Sequence, residues 1–269
     1  MRSLCNVVVA LSLVACAPVE VELDGGPPRI HHREPDLSIM AAIPEGGFSM
    51  GHPVEAPGAY GQAWKENELP AHDVALPAFF IDLDEVSVAR YAEFLTEEGG
   101  EIHRHPLMPI VLDGDRYLPQ AGSESNPIAL VSWFDAVTFC AWTGARLPTE
   151  AEWERAARGA DGQTYPWGED APTCERAVFN TGSTLCAARP DPIGTHPAGD
   201  SPDGCRDMAG NVAEWVADSY EGFGRGSCWP GATAGQRDPL CATDGQQRGS
   251  RGGAYINGAN LAASAARES

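Results

Sequence analysis

Three stretches of the chain space their apolar residues as an α-helix does and start with a residue suited to cap a helix. The clearest is 146–158, RLPTEAEWERAAR, in which a tryptophan and two alanines share one face. Thr149 is placed as the N-cap and Glu152 stands three residues later, which is the spacing of a capping box. Glu154 and Arg158 are four residues apart, in the order that favours an ion pair on a helix. The pattern predicts a short, well-capped amphipathic helix.

Two further helices are predicted upstream of this one. Ser87 precedes the first, and Gly99 is placed to end it. Ser132 precedes the second, with Asp135 at the capping-box position and Gly144 just past the last turn. The helical part of the chain is therefore expected to end near residue 159, before a long glycine-containing region.

Extended segments are short and are separated by loops. Continuous or alternating apolar residues predict strands within 43–51, 72–76 and 79–83. A further strand is expected to begin at Arg251 and to run to Tyr255. With 30 glycines, 22 prolines and no repeat period, the pattern favours a loop-rich globular domain over a fibrous or disordered chain.

Charge adds one constraint to this picture. The 269 residues carry a formal net charge of −20. Such a surface repels nucleic acid and anionic membrane faces, and it suits the binding of cations. The charge therefore excludes nucleic acid as a partner. It identifies no other partner, because an acidic surface can serve solubility alone.

The N-terminus has the shape of an export signal. Residues 1–16 hold an early arginine, a short apolar core and the sequence Leu-Val-Ala-Cys, which ends at Cys16. Leu-x-Ala-Cys resembles the lipobox of bacterial lipoproteins, so Cys16 is predicted to be lipidated and to hold the protein on the outer or the cytoplasmic membrane. An ordinary signal cleaved near Ala15 would instead give a secreted or periplasmic protein. Residues 17–38 are predicted to be a flexible tether and 39–269 to be the folded domain.

Six cysteines lie beyond the lipobox, which fits disulfide formation in an oxidising compartment. Cys174 with Cys186 and Cys228 with Cys241 are the local candidate pairs. Each bond would close a loop of about a dozen residues and contribute about 3 kcal/mol in the chain-entropy model. Neither pair has the close spacing of a zinc ligand pair.

Long motifs along the chain agree in sequence and order with one known family. They are 43–51, 84–87 followed by Tyr91 and Phe94, 127–133, 146–154, 165–168, 207–215 and 251–253. Together they resemble the sulfatase-modifying-factor family, whose founding members are formylglycine-generating enzymes. The resemblance runs from about residue 39 to residue 269. It implies a single α+β domain, poor in regular secondary structure and related to C-type lectins.

The resemblance also implies one difference in the sheet. Family members continue beyond the equivalent of Arg267 to a final Gly-Phe-Arg strand, whereas this sequence stops at Ser269. We therefore expect the fold to lack its last C-terminal strand. A missing terminal strand leaves the edge of a sheet unpaired.

The family's oxidase chemistry depends on residues that this chain does not have. In the family's enzymes two cysteines, five residues apart after the Arg-Gly-Gly segment, bind copper(I), activate oxygen and oxidise a substrate cysteine to formylglycine. The two positions fall here on Asn257 and Ala262. An amide and a methyl group cannot bind a soft cuprous ion as thiolates do. No catalytic residue and no copper are therefore expected, and the domain is predicted to be a pseudoenzyme.

A calcium site of the family is expected to be retained. By position, Asp207 and Glu214 would supply side-chain oxygens, and Gly210 and Val212 would supply backbone carbonyls. Hard oxygen ligands in a short glycine-containing turn are what calcium prefers. The alternative is a calcium-free turn in which Asp207 is a cap and Glu214 forms an ion pair.

Two hypotheses about function follow. The first is a lipid-anchored, calcium-stabilised binding or accessory domain for a peptide, protein or glycan. The second is an enzyme of the formylglycine-generating type that acts on a protein cysteine, or a relative that uses other residues near Asn257.

Overall fold

A computed structural model describes residues 11–12, 30–33, 38–52, 66–224, 228–229, 235–245 and 247–269. The predicted lipidation site, Cys16, lies outside these residues, as does most of the predicted signal and tether. The extent of the tether stays a prediction, although one short strand, 30–33, falls within it.

Regular elements make up a minor part of the chain. The helices are α1 (Val88–Glu97), α2 (Trp133–Trp142) and α3 (Glu150–Arg158). Short 3₁₀ turns cover Glu66–Glu68, Gly100–His103, Pro197–Gly199 and Ala259–Ala262. The strands are β1 (Leu11–Ser12), β2 (Ile30–Arg33), β3 (Ser38–Ile43), β4 (Gly46–Met50), β5 (His72–Leu76), β6 (Phe79–Asp82), β7 (Ile110–Asp113), β8 (Arg116–Pro119), β9 (Ala213–Ser219), β10 (Gln236–Arg237) and β11 (Arg248–Arg251). Within the described ranges, no helix is both long enough and apolar enough to cross a bilayer.

In the part of the chain that the structure describes, the strands form four small sheets and no large one. Three of them have three strands each, in the orders β2-β3-β6, β10-β5-β4 and β1-β9-β11, and β7 with β8 forms a hairpin. Most pairings are antiparallel, but β1 with β9 and β10 with β5 are parallel. Small mixed sheets beside three helices confirm the predicted α+β fold with little regular secondary structure.

The predicted helix caps are confirmed. The Thr149 hydroxyl accepts a hydrogen bond from the backbone N–H of Glu152, and the Glu152 carboxylate accepts one from the N–H of Thr149. Ser132 and Asp135 make the same reciprocal pair at the start of α2. Such a box satisfies two backbone donors that an isolated helix end leaves free. Ser87 caps α1 through the N–H of Arg90.

α3 is more deeply buried than an amphipathic pattern indicates. Every residue from Glu150 to Arg158 is buried, the charged ones included. The apolar face packs Trp153 and its neighbouring alanines into a core with strands β3 to β6. The other face is covered by the C-terminal residues and by the turn at Gly51 that follows β4, which we call the β4 turn. α3 is therefore a central helix and not a surface helix.

Ion pairs make this burial possible, because a buried charge needs a partner of opposite sign. Glu150 accepts two hydrogen bonds from Arg267, each 2.6 Å long, and lies 3.2 Å from Nε of Arg251. Glu154 accepts from Arg251 and from Arg158, the latter at 2.8 Å, which confirms the predicted pair along the helix. Two arginines, Arg251 and Arg267, therefore connect α3 to the C-terminal part of the chain.

A second core lies beside the first. α1 and α2 pack their apolar faces together, with Phe94 and Phe139 ring to ring at 5.5 Å. The same cluster includes Met108 and Ile110 from the segment that leads into the β7–β8 hairpin. Gly99 and Gly100 follow the end of α1, as predicted, and Gly100 begins a 3₁₀ turn.

The strand predicted from Arg251 to Tyr255 is wrong in its bounds. The strand β11 ends at Arg251, where the sequence analysis had it begin. Gly252 and Gly253 follow with φ of +82° and +69°, a left-handed conformation that turns the chain away from the sheet. β11 pairs antiparallel with β9, and Ser250 forms an isolated bridge with Glu268.

Both predicted disulfides are confirmed. Cys174 is bonded to Cys186 and Cys228 to Cys241, over sequence separations of 12 and 13 residues. Cys205 is a free cysteine and is fully buried, which raises the pKa of its thiol. Burial disfavours the thiolate form, so Cys205 is a core residue and not a nucleophile.

Candidate functional site

Asn257 lies in a tight turn just after the glycine pair. Its side-chain Oδ1 accepts a hydrogen bond of 2.8 Å from the N–H of Ala254. Its backbone N–H donates to the Ala254 carbonyl, and its carbonyl accepts from the N–H of Asn180, both at 2.8 Å. Asn257 therefore has a structural role: its side-chain amide closes the turn, and its backbone carbonyl fixes the turn to Asn180.

Ala262 lies in an apolar environment. It ends the 3₁₀ turn Ala259–Ala262 and is 2% exposed. Phe179 and Ala209 belong to the same buried cluster, and Trp167 packs against it. Neither Ala262 nor Asn257 offers a thiol, a carboxylate or another titratable group. The two positions that carry the family's redox chemistry therefore hold a turn-forming amide and a packed methyl group.

The segment before β9 is shaped by three residues in the left-handed region. Asp207, Gly210 and Asn211 have φ of 54°, 79° and 54°. A Cβ at Gly210 would lie 2.3 Å from the carbonyl oxygen of Val178, so only glycine fits there. Three of the predicted calcium ligands, Asp207, Gly210 and Val212, lie in this segment, and the fourth, Glu214, is the second residue of β9.

The carboxylates of this turn are buried and hydrogen-bonded. Asp207 accepts from the N–H of Gly194 at 2.6 Å. Glu214 accepts a short hydrogen bond from Nε1 of Trp153, which lies on α3. Within the described ranges, no arginine or lysine pairs with Glu214.

A third carboxylate belongs to the same group and was missed by the sequence analysis. Glu85 is fully buried and accepts from Nδ2 of Asn211 at 2.7 Å and from the N–H of Val212 at 3.2 Å. It comes from the segment between β6 and α1, far away in sequence. Glu85 belongs to the family motif 84–87. Nothing in the sequence indicated that its side chain would contact the turn before β9.

The pKa values of all three carboxyl groups are raised. Burial is the main cause for each of them. The charge of Asp207 further raises the pKa of Glu85 and of Glu214, and hydrogen bonds only partly oppose the shift. The charges of His196 and Arg206 oppose the shift at Asp207, whereas no basic group acts on Glu85 or Glu214. Buried carboxylates without a basic partner need a proton or a cation to balance them. The electrostatics of this carboxylate cluster, Glu85, Asp207 and Glu214, therefore fit a nearby cation, although the oxygens of the three groups do not all lie within 4.8 Å of one another.

Another group of ligands lies together but cannot bind a metal in this state. The oxygen of Glu221 and the sulfurs of Cys228 and Cys241 lie within 4.8 Å of one another, the only such trio among the described residues. The two sulfurs are joined in a disulfide, and a metal binds thiolates. This trio is therefore a disulfide with a neighbouring carboxylate.

Comparison with known proteins places these features in a family. A family model described as the sulfatase-modifying factor enzyme 1-like domain matches residues 28–269. The chain belongs to this family. The matched residues include strand β2.

Relatives of this sulfatase-modifying-factor domain carry several different names. The formylglycine-generating enzyme of Thermomonospora curvata is 32% identical over 260 residues, covering 81% of this chain and 82% of that enzyme. The hercynine oxygenase of Mycolicibacterium thermoresistibile is 35% identical, covering 62% of this chain and 40% of the relative. The serine/threonine-protein kinase Pkn1 of Chlamydia trachomatis is 33% identical, covering 82% and 34%. The chain thus spans only part of the length of the last two relatives.

Solved structures show the same fold at low sequence identity. PvdO from Pseudomonas aeruginosa superposes with a TM-score of 0.69 at 23% identity, over 90% of this chain and 92% of that chain. Treponema denticola variable protein 1 superposes with a TM-score of 0.61 at 19% identity, over the same shares. At such identity these structures establish the sulfatase-modifying-factor fold and carry no argument about activity.

Proposed function

We propose that this chain is an extracytoplasmic, lipid-anchored domain of the sulfatase-modifying-factor fold that serves as a binding or accessory module and not as a cysteine oxidase. The proposal depends mainly on the residues that occupy the family's two redox positions. Asn257 uses its amide oxygen to close a turn, and Ala262 is packed among apolar side chains. A soft cuprous ion needs thiolate or thioether ligands, and these positions supply none.

Calcium is the proposed cofactor, bound at the turn before β9. Asp207 and Glu214 would supply carboxylate oxygens, and Gly210 and Val212 would supply carbonyls. The carboxylate cluster supports this assignment, since Glu85 and Glu214 are buried near Asp207 and no basic group lowers the pKa of either. Glu85 would add negative charge beside the ion and would position the turn through Asn211 and Val212. A bound calcium ion would supply structural stabilisation there.

The location outside the cytoplasm is proposed from Cys16 and from the disulfides. Two disulfide bonds are in keeping with an oxidising compartment. If Cys16 is lipidated, the variant Cys16→Ser should move the protein from the membrane fraction to the soluble fraction. A Cys5→Ser variant is the matched control, because Cys5 lies upstream of the lipobox and should leave the membrane association intact. Retention of Cys16→Ser in the membrane fraction would overturn the anchor.

An enzyme is the second candidate, and the identity to the Thermomonospora formylglycine-generating enzyme favours it. In that case the chain would oxidise a protein cysteine through residues other than a cysteine pair. Its ligand would then be a cysteine-containing peptide. As a binding module, the same domain would take a peptide, a protein or a glycan without changing it.

An activity assay separates the two candidates. The purified protein is incubated with copper, oxygen and a Cys-x-Pro-x-Arg peptide, and the peptide is analysed by mass spectrometry. The first proposal predicts that the peptide cysteine stays unchanged, while the Thermomonospora relative serves as the positive control. Conversion of the cysteine to an aldehyde would sink the first proposal and establish the second.

A further inference from the structure

One of the two disulfides has a carboxylate beside it. The sulfurs of Cys228 and Cys241 and one carboxylate oxygen of Glu221 all lie within 4.8 Å of one another. In the part of the chain that the structure describes, no histidine, aspartate or glutamate stands in the same way beside the disulfide between Cys174 and Cys186. We call Glu221, Cys228 and Cys241 the sulfur–carboxylate trio.

Hydrogen bonds that use no sulfur atom hold the trio in place. Oε2 of Glu221 accepts a hydrogen bond of 3.2 Å from the N–H of Cys228. The N–H of Cys241 donates to Oδ1 of Asp218 at 2.8 Å, and the Cys241 carbonyl accepts from the N–H of Ser219 at 2.7 Å. Because reduction of the disulfide removes none of these bonds, they keep the three side chains close after the sulfurs have separated.

Cys228 is the accessible end of this disulfide. Cys241 is 1% exposed, whereas Cys228 and Glu221 are only half-buried. A dithiol therefore attacks Sγ of Cys228, and Sγ of Cys241 leaves as a thiolate. The second thiol of the reductant then attacks the mixed disulfide and releases Cys228. Two electrons pass in this way from the dithiol, which ends as a disulfide, to the two cysteines.

Reduction leaves two sulfur ligands and a carboxylate together in a chain with a net charge of −20. Two thiolates and a carboxylate this close repel one another, and a divalent cation removes the repulsion. Zn²⁺ binds thiolate sulfur at about 2.3 Å and carboxylate oxygen at about 2.0–2.2 Å, usually in a tetrahedron. Ligand atoms at these lengths are about 3.6–3.8 Å apart. The trio, whose atoms all lie within 4.8 Å of one another, therefore has the size of a zinc site.

We propose that the sulfur–carboxylate trio is a zinc site whose oxidised form is the disulfide between Cys228 and Cys241. Once reduced, both cysteines bind Zn²⁺ as thiolates and release their two protons to solvent. Glu221 supplies a carboxylate oxygen, and water completes the tetrahedron. The cysteines are 13 residues apart, which is unlike a zinc-binding turn, and for that reason the sequence predicted no zinc here. The trio shares no residue with the carboxylate cluster or with the family's redox positions, so this site and the proposed function can fail separately.

Cobalt(II) is the probe, because thiolate ligands give this ion a charge-transfer band in the near ultraviolet. The full chain is reduced with a phosphine, which has no thiol to compete for the metal, and excess calcium competes for sites that have oxygen ligands only. We expect one cobalt ion per chain with the thiolate band, and zinc should displace it. The oxidised protein is the control and should show no band. A reduced protein that lacks the band, or that loses its native circular dichroism, would overturn the proposal.

Matched variants locate the metal. Cys174→Ser/Cys186→Ser removes the other disulfide and should keep the thiolate band. Cys228→Ser/Cys241→Ser should abolish it. Glu221→Gln keeps both thiols but should weaken cobalt binding about tenfold or more, because even residues that only orient a metal ligand contribute about 10–100-fold. Unchanged affinity in Glu221→Gln, or a band that survives the loss of Cys228 and Cys241, would contradict the assignment.

Discussion

Replacing Arg267 by methionine tests how α3 tolerates its buried charges. Arg267 is 1% exposed and donates two hydrogen bonds of 2.6 Å to Glu150. It donates a third of 2.7 Å to the carbonyl of Asn67, and its guanidinium lies 3.8 Å from the centroid of the Phe223 ring. Methionine keeps much of the apolar volume but removes the charge, so Glu150 loses its principal partner.

The size of the effect follows from the burial of Glu150. Removing one member of a buried ion pair costs about 3–5 kcal/mol, because the remaining charge stays buried without a partner. Arg251 lies 3.2 Å from the same carboxylate and offsets part of this loss. We expect the free energy of unfolding to fall by about 3 kcal/mol.

Urea unfolding followed by circular dichroism measures this change. Arg176→Met is the matched control, because Arg176 pairs with Asp170, whose side chain is 78% exposed. An exposed pair contributes about 0–1 kcal/mol, so the control should differ little from the parent. A loss below about 1 kcal/mol for Arg267→Met, equal to that of the control, would refute the reasoning about α3.

Three further predictions concern the carboxylate cluster and the backbone. Calcium should raise the melting temperature of the protein and a chelator should lower it. Glu214→Gln should abolish this difference. If a chelator leaves the melting temperature unchanged, the proposed calcium site is refuted. Without calcium, the free energy of unfolding should fall as pH rises above about 4, because the raised pKa values of Glu85, Asp207 and Glu214 make the native chain bind more protons than the unfolded chain. Melting curves at acidic and neutral pH test this, and a rise of stability with pH in the absence of calcium would contradict it. Gly199→Ala should destabilise the fold by about 2 kcal/mol or more, since the new Cβ would lie 1.9 Å from the Arg176 carbonyl oxygen, whereas Gly46→Ala meets no atom within 4 Å and should be nearly neutral.

Local features of this fold were predictable from the sequence. The capping boxes at Thr149 and Ser132 are written in residues three apart, so the starts of α2 and α3 were predicted correctly. The two disulfides close short loops, and their partners are neighbours along the chain. The family resemblance supplied the fold class, because its motifs keep their order over most of the chain.

Features that depend on distant segments were not predictable in the same way. The burial of Glu150 depends on Arg267, which is 117 residues away. The meeting of Glu85 with Asn211 joins residues 126 apart. Helical periodicity reports only which side of a helix is apolar, so it described α3 as amphipathic. The partners that allow its charged side to be buried come from the last residues of the sequence and from the β4 turn.

The end of β11 could not be predicted from the sequence for a different reason. A strand from Arg251 to Tyr255 fits the local composition, yet two glycines in the left-handed region stop it at Arg251. Glycine permits this conformation without requiring it, so the sequence alone left the direction of the chain open. The direction matters, because this turn places Asn257 against the 177–180 segment.

Binding of copper(I) tests the central claim most directly. The protein competes for cuprous ion with a coloured chelator under anaerobic conditions, alongside the double variant Asn257→Cys/Ala262→Cys, which restores the two thiols. The account predicts that the natural protein removes no copper from the chelator, whereas the double variant does. One cuprous ion taken up per chain by the natural protein would contradict the claim that this sulfatase-modifying-factor domain has lost the family's redox site.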